Sequence, residues 1–349
     1  MTLWRILFRI PWHILLISAV LVAVGAMALY SASEGSWQPW AGRHALRGAV
    51  GVGVVLLMAF VDFKLLHRLS YFLMIAALVV LAVLLVIGSG PNVSRWVSVG
   101  GVSFQPSEPA KIAIILALAR YFDSLPQDRM QSLIVYLPAL AIIAVPFLLV
   151  MKQPDLGTAL MLLLGGLSVI FAAGLPWRYV GGATVLALGA LPLLWMQLHD
   201  YQKSRVMTFL NPEADVLGAG YQIIQSKIAL GSGGLFGKGF LMGSQSQLNY
   251  LPEKQTDFVF TMIGEEFGLV GNLFILGLYL ALSLSILRIS YVVRSRFSQL
   301  ACMGISMMLF FYVFVNVAMV SGMLPVVGAP LPLISYGGTS MLTVFIGLG

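Results

Sequence analysis

Few charged residues interrupt this sequence, and several stand where chemistry would need them. Glu108 and Lys111 lie three positions apart in Gln105-Pro106-Ser107-Glu108-Pro109-Ala110-Lys111, at the head of an apolar run. On a helix, that spacing puts both side chains on one face. Ser107 suits an N-cap, and Pro109 suits a first turn. Asp155 opens a second apolar run in Gln153-Pro154-Asp155-Leu156-Gly157-Thr158. It reads as an N-cap, a role compatible with lining a cavity. Asp257 closes Leu251-Pro252-Glu253-Lys254-Gln255-Thr256-Asp257. It fits either an N-cap or a carboxylate that takes a proton. Glu265 follows eight positions later, near two turns, so a continuous helix would give the two acids one face. Lys203, Arg205, Lys227 and Lys238 lie between Asp155 and Asp257. They read as solvated loop charges or as cations for phosphate oxygens.

The elements that must hold these residues follow from composition. Of 349 residues, 59% are hydrophobic and 9% charged. Soluble domains are roughly 45–50% apolar and about 25% charged. That excludes a water-soluble enzyme, a disordered chain and a nucleic-acid binder, and leaves a polytopic membrane protein. The net charge of +7 then reports membrane orientation. Cys302, the single cysteine, excludes an intrachain disulfide and a C-x-x-C motif. The first apolar run lacks a clear cleavage site.

Apolar runs predict an all-α fold, one domain over 1–349, with about ten transmembrane helices. The spans fall near 13–31, 44–62, 70–89, 108–122, 133–150, 157–175, 179–198, 265–287, 299–320 and from 339 onward. The last has only eleven residues, roughly 16 Å of helix, which suggests that the sequence stops inside it. With the N-terminus inside, ten basic residues, Arg5 and Arg9 among them, fall in cytoplasmic segments and five in short outer segments. That asymmetry supports the orientation.

A long outer loop, about 199–257, joins the seventh and eighth spans. Connections longer than about 12–15 residues are usually functional or disordered. Tyr221, Ile224 and Ile228 at helical spacing predict a short helix lying on the membrane surface. The run Gly231-Ser232-Gly233-Gly234-Leu235-Phe236-Gly237-Lys238-Gly239 fails as a P-loop, because Ser232 replaces the first glycine and Gly239 follows the lysine. The Pro/Gly-rich run over 321–338 must be buried in protein or line a cavity if it lies at membrane depth. Arg43 and Arg47 begin the second span at spacing i, i+4. Asn92-Val93-Ser94 matches a glycosylation sequon by chance. The four histidines are scattered, against an imidazole metal centre.

The three motifs around Glu108, Asp155 and Asp257, together with Asn316 through Gly322-Met323-Leu324-Pro325-Val326 to Ser335-Tyr336-Gly337-Gly338, occur in an order that resembles the SEDS family (shape, elongation, division and sporulation). The run from Gly220 to Gly234 is closer to the family's elongation branch than to its division branch. The resemblance covers nearly the whole chain. It implies a peptidoglycan glycosyltransferase that polymerises lipid II at the outer face of the bacterial cytoplasmic membrane, beside a class B penicillin-binding protein. Asp257 matches the family's essential acid, and Glu108 and Lys111 match a polar pair lining the cavity. Trp96, Arg43 and Asp155 match other favoured positions.

The chemistry agrees. Undecaprenyl pyrophosphate leaves readily, so one base suffices, unlike the two carboxylates of glycoside hydrolysis. Cations must offset the leaving charge: loop Lys and Arg, or a divalent metal such as magnesium or manganese. No organic cofactor is expected. A lipid-linked precursor translocator and a non-catalytic scaffold for the penicillin-binding protein are the competing readings.

Overall fold

The computed structural model describes residues 10–87, 95–99, 102–197, 200–215, 218–248 and 250–349. Arg5, Arg9 and the 92–94 sequon lie outside them. Helices α1 (Trp12–Ala32), α2 (Ala41–Met58) and α3 (Phe63–Ile87) precede a short antiparallel hairpin, β1 (Val97–Val99) and β2 (Val102–Phe104), with Val97 opposite Phe104. Then come α4 (Ser107–Asp123), α5 (Tyr136–Lys152), α6 (Leu156–Ala172) and α7 (Trp177–Gln197). The segment expected as a loop holds α8 (Asp200–Leu210), α9 (Ala219–Gly233) and the single turn α10 (Ser244–Gln247). The chain closes with α11 (Val259–Val292), α12 (Arg296–Val320) and α13 (Gly338–Leu348).

A helix coincides with each predicted span. Among the described residues, six helices are long and apolar enough to cross a membrane, and α6 and α13 are shorter apolar helices. The hairpin is a small departure from an all-α chain.

Two buried cores share α12. Leu309, Val313 and Val320 pack with α1, α2, α11 and α13. Phe297, Leu300, Met308 and Tyr312 pack with α3, α4, α5 and α6. Between helices in a bilayer, close packing and polar bonds supply the attraction, since lipid tails are as apolar as leucine. The segment after α12 leaves the seam between the cores, and Val327 touches both.

Helix α11 contains a break at Gly268, with φ 68°. The backbone groups freed there are paired by the segment after α9. Leu269 and Val270 N–H donate to the carbonyls of Gly234 and Leu235, at 2.9 and 3.1 Å. Lys238 and Gly239 N–H donate to those of Glu265 and Glu266, at 3.0 and 2.9 Å. Buried backbone groups require such partners.

The expected short helix is α9, with Tyr221 and Ile224 half-buried. Ile223, Ser226 and Ala229 are buried against the bundle, whereas Ile228 is exposed. Ser226 made this face look polar in sequence. Its hydroxyl pairs with Thr261 Oγ1 and donates to the Val320 carbonyl, both at 2.7 Å.

Candidate active site

The site is built on the 321–337 segment, which passes the N-terminal ends of α6 and α11 and leads into α13. Asp257 precedes α11, whose N-cap is Phe258. Its carboxylate caps nothing and has no donor among the described residues. The N-cap reading therefore fails for this acid. Asp257 is half-buried, with Gly328 packed beside Oδ2. Burial pushes its pKa up to about 6, Glu253 adds to the rise, Arg205 opposes it, and Asp155 adds further.

The backbone around Asp257 is fixed from three sides. Asn316 Nδ2 donates to the carbonyls of Asp257, at 2.9 Å, and Ala329, at 2.7 Å. Ser335 Oγ donates to the Thr256 carbonyl at 2.6 Å. Tyr336 N–H donates to the Gln255 carbonyl at 2.9 Å.

Asp155 is the N-cap expected of it. Oδ1 accepts from Thr158 N–H at 3.1 Å, and Oδ2 accepts from Gln105 Nε2 at 2.8 Å. Gln105 N–H in turn donates to Thr339 Oγ1 at 3.2 Å, so α4, α6 and α13 meet here. Gly157, next on α6, faces Val327 and Gly328. A Cβ there would lie 2.5 Å from one carbonyl oxygen and 2.7 Å from the other. Arg95 donates to the carbonyls of Gln153, at 2.7 Å, and Pro154. That brings its exposed neighbour Trp96 to the same corner.

Glu108 and Lys111 are both buried, with Nζ 2.7 Å from Oε1. Tyr312 closes the group. Its hydroxyl bonds both Glu108 oxygens, at 3.3 and 3.2 Å, and also Lys111 Nζ. The ammonium lies 4.6 Å from the Tyr312 ring centroid. These contacts tie α4 to α12. The ammonium faces Glu108 and Tyr312.

The expected cations divide. Arg205 on α8 donates to the Val326 carbonyl and acts on Asp257. Lys227 is exposed, and its ammonium lies against Gly322. Arg43 is exposed in the first turn of α2. Lys238 is committed elsewhere. It pairs with buried Glu265 at 2.7 Å and donates to Ser244 at 2.7 Å. Glu265 also accepts from Gln245 N–H at 3.0 Å and Ser246 N–H at 3.4 Å. It therefore anchors the 238–246 segment and shares no helix face with Asp257, which lies outside α11.

Sequence reasoning missed Tyr312, which gave no signal inside an apolar run. It also gave no role to Arg47, whose guanidinium sits over the Tyr336 ring, 4.8 Å from the centroid. Its spacing from Arg43 was the available clue.

The site's donor set bears on the expected metal. Among the described residues, no three His, Cys, Asp or Glu side chains converge as a preformed metal site. Magnesium sites often need only one or two carboxylates plus substrate phosphates. Asp257 has a carboxylate without a donor among the described residues, whereas both Asp155 oxygens already accept hydrogen bonds, from Thr158 N–H and Gln105 Nε2.

A family profile described as "Cell cycle protein" (FtsW, RodA and SpoVE) matches residues 5–349. The chain is 44% identical over 352 aligned residues to the peptidoglycan glycosyltransferase MrdB of Escherichia coli K12, covering 100% of this chain and 94% of that one. Thermus thermophilus rod shape determining protein RodA aligns with a TM-score of 0.69 at 32% identity, covering 97% of this chain and 94% of that one. A chain of a peptidoglycan synthase complex that coordinates polymerization and crosslinking aligns with a TM-score of 0.83 at 34% identity, covering 97% and 96%. The chain therefore belongs to the SEDS family of FtsW, RodA and SpoVE proteins.

Proposed function

We propose that this protein is a peptidoglycan glycosyltransferase that polymerises lipid II during bacterial cell elongation. One observation carries the reading: a half-buried Asp257 carboxylate without a hydrogen-bond donor, beside Arg205, in a chain similar over its full length to MrdB. The helices make about ten passes of the cytoplasmic membrane with the N-terminus inside. The segments 200–257 and 321–337 then lie at the outer face.

In the reaction, the acceptor 4-hydroxyl oxygen attacks the donor C1 from the face opposite the pyrophosphate. The C1–O bond breaks, its electron pair leaves with undecaprenyl pyrophosphate, and the configuration inverts. Asp257 takes the hydroxyl proton. Arg205 and Lys227 offset the leaving charge. Asp155, through its cap and Gln105, holds the corner where exposed Trp96 offers a ring face to a sugar. Glu108, Lys111 and Tyr312 fix α4 against α12, and Lys238 fixes the loop through Glu265. A divalent cation, magnesium or manganese, would be held by Asp257 with phosphate oxygens. It would supply charge neutralisation. A class B penicillin-binding protein is the partner. The likeness to a chain of a synthase complex that joins polymerization to crosslinking supports that pairing.

The test is gel analysis of labelled lipid II products, made by the purified protein with its partner. Wild type is expected to give a ladder of glycan strands and Asp257→Asn none. A ladder from both would remove Asp257 as the base. No ladder from either would favour the translocator or scaffold reading, and flipping in vesicles would then separate those.

A further inference from the structure

His44 takes no part in the reaction as described, yet it is buried near the start of α2 and bonded to a residue far away in sequence. Its Nε2 lies 3.1 Å from the Leu333 carbonyl oxygen. A carbonyl oxygen only accepts, so the ring donates and Nε2 carries the proton. Helix α1 closes over the ring at Gly25. A Cβ there would lie 2.7 Å from Nε2 and 2.7 Å from the Ile334 carbonyl oxygen.

Leu333 is a point where the chain has to be held. Its φ is 69°, in the left-handed region that leucine rarely adopts. Such a conformation persists only where its surroundings over-determine it. Here three donors close on one turn. His44 holds the Leu333 carbonyl, the Tyr279 hydroxyl on α11 donates to the Pro332 carbonyl, and Ser335 N–H donates to the Leu331 carbonyl at 2.9 Å. The Ser335 hydroxyl accepts from Leu331 N–H at 2.8 Å and donates to the Thr256 carbonyl at 2.6 Å. Tyr336 N–H then reaches the Gln255 carbonyl at 2.9 Å. The turn at Leu333 therefore aims two successive residues at the two carbonyls just before Asp257. A change in the Leu333 dihedrals would swing both donors away.

We propose that His44 is a positioning residue for the polymerase: through the Leu333 carbonyl it fixes the left-handed turn that aims Ser335 and Tyr336 at the backbone before Asp257. This rests on the polymerase reading. His44 touches no reacting atom. It acts through the turn, and Gly25 is the glycine that lets α1 pack against it.

The experiment uses the full-length protein with its partner and compares His44→Gln, His44→Met and Gly25→Ala with wild type. Gln keeps an Nε2 donor at the same number of bonds from Cα, whereas Met fills the space without one. Initial rates on labelled lipid II give kcat and KM, and amide hydrogen exchange is followed in peptides covering 251–258 and 331–337. His44→Met is expected to lose kcat roughly tenfold or more with little change in KM, because the base is displaced while substrate contacts stay. Exchange should become several-fold faster in both peptides. His44→Gln should recover most of the rate and the protection. Gly25→Ala pushes on the same ring from α1 and should behave like His44→Met, so the clasp stays testable if one of the two fails to fold. Equal kcat in the Gln and Met variants, with only their melting temperatures lowered, would mean that the ring merely packs, and would overturn the proposal. So would faster exchange over 331–337 that leaves 251–258 protected. A wild type that makes no ladder would sink the polymerase reading. The exchange difference between the Gln and Met variants would still decide whether His44 holds the turn.

Discussion

The Asn316 side chain, from the end of α12, holds the Asp257 carbonyl at 2.9 Å while it holds the Ala329 carbonyl at 2.7 Å. One buried amide therefore sets the position of the candidate base relative to the segment that carries the cations. Its Oδ1 is buried without a partner. Asn316→Ala would leave two carbonyls unpaired, and each such buried group costs about 1–3 kcal/mol. The variant is expected to melt lower and to lose glycan-chain growth. Thermal melting and the product gel, read together, check this. Normal strand synthesis would show that Asn316 positions nothing the reaction needs.

The Asp257 pKa near 6 sets a pH dependence. A base works deprotonated, so kcat/KM should rise with pH through a midpoint near 6. Arg205→Gln removes the opposing cation and should move that midpoint up. Glu253→Gln removes a neighbouring anion and should move it down. A pH profile of initial rates for the three proteins decides it, and unmoved midpoints would detach Asp257 from the acid limb.

The same shift predicts a stability effect of opposite sense. A carboxylate whose pKa is raised on folding stabilises the native state below its unfolded pKa. That contribution is lost as pH rises through about 6. Asp257→Asn carries no charge to desolvate and should melt higher than wild type above that pH, with the gap closing in acid. Melting curves across pH measure it. Equal melting at neutral pH would argue against a strained carboxylate.

The buried Glu108–Lys111 pair calls for a double-mutant cycle. Lys111→Met alone strands a buried carboxylate, a change that costs about 3–5 kcal/mol. Adding Glu108→Leu should recover most of that stability and some polymerisation. If Lys111 instead contacts substrate, the double variant will fold and stay inactive.

Gly157→Ala tests the contact between α6 and the segment beside Asp257. The new methyl would meet backbone carbonyls at 2.5 and 2.7 Å, so the segment has to move. Polymerisation should fall roughly tenfold or more, about 1.4 kcal/mol of barrier. Gly165→Ala, two turns along α6, has its nearest neighbours at 3.9 Å and serves as the neutral control. Equal activity of the two variants would show that the segment tolerates displacement.

Much of the fold was legible because apolar runs and their breaks are local signals. A helix stands at each expected span, and the Asp155 cap was readable from one residue and its followers. Composition restricted the chain to the membrane class, and motif order identified the family. Helix faces were less legible. The α9 helix buries Ser226 rather than Tyr221, since its hydroxyl finds Thr261 and the Val320 carbonyl, and neither partner is near in sequence.

What the sequence determined by itself was the list of apolar runs, the family and the candidate carboxylate. Those depend on residue type and local order. Only the tertiary structure decided which charges are spent on the protein itself. Lys111 and Lys238 look like Arg205 in a string of letters, but Glu108, Tyr312 and Glu265 close on the two lysines, while Arg205 donates to the Val326 carbonyl. The reason is physical. A buried charge must be paired within the fold, and its partner is set by how helices far apart in sequence pack, which no local pattern encodes.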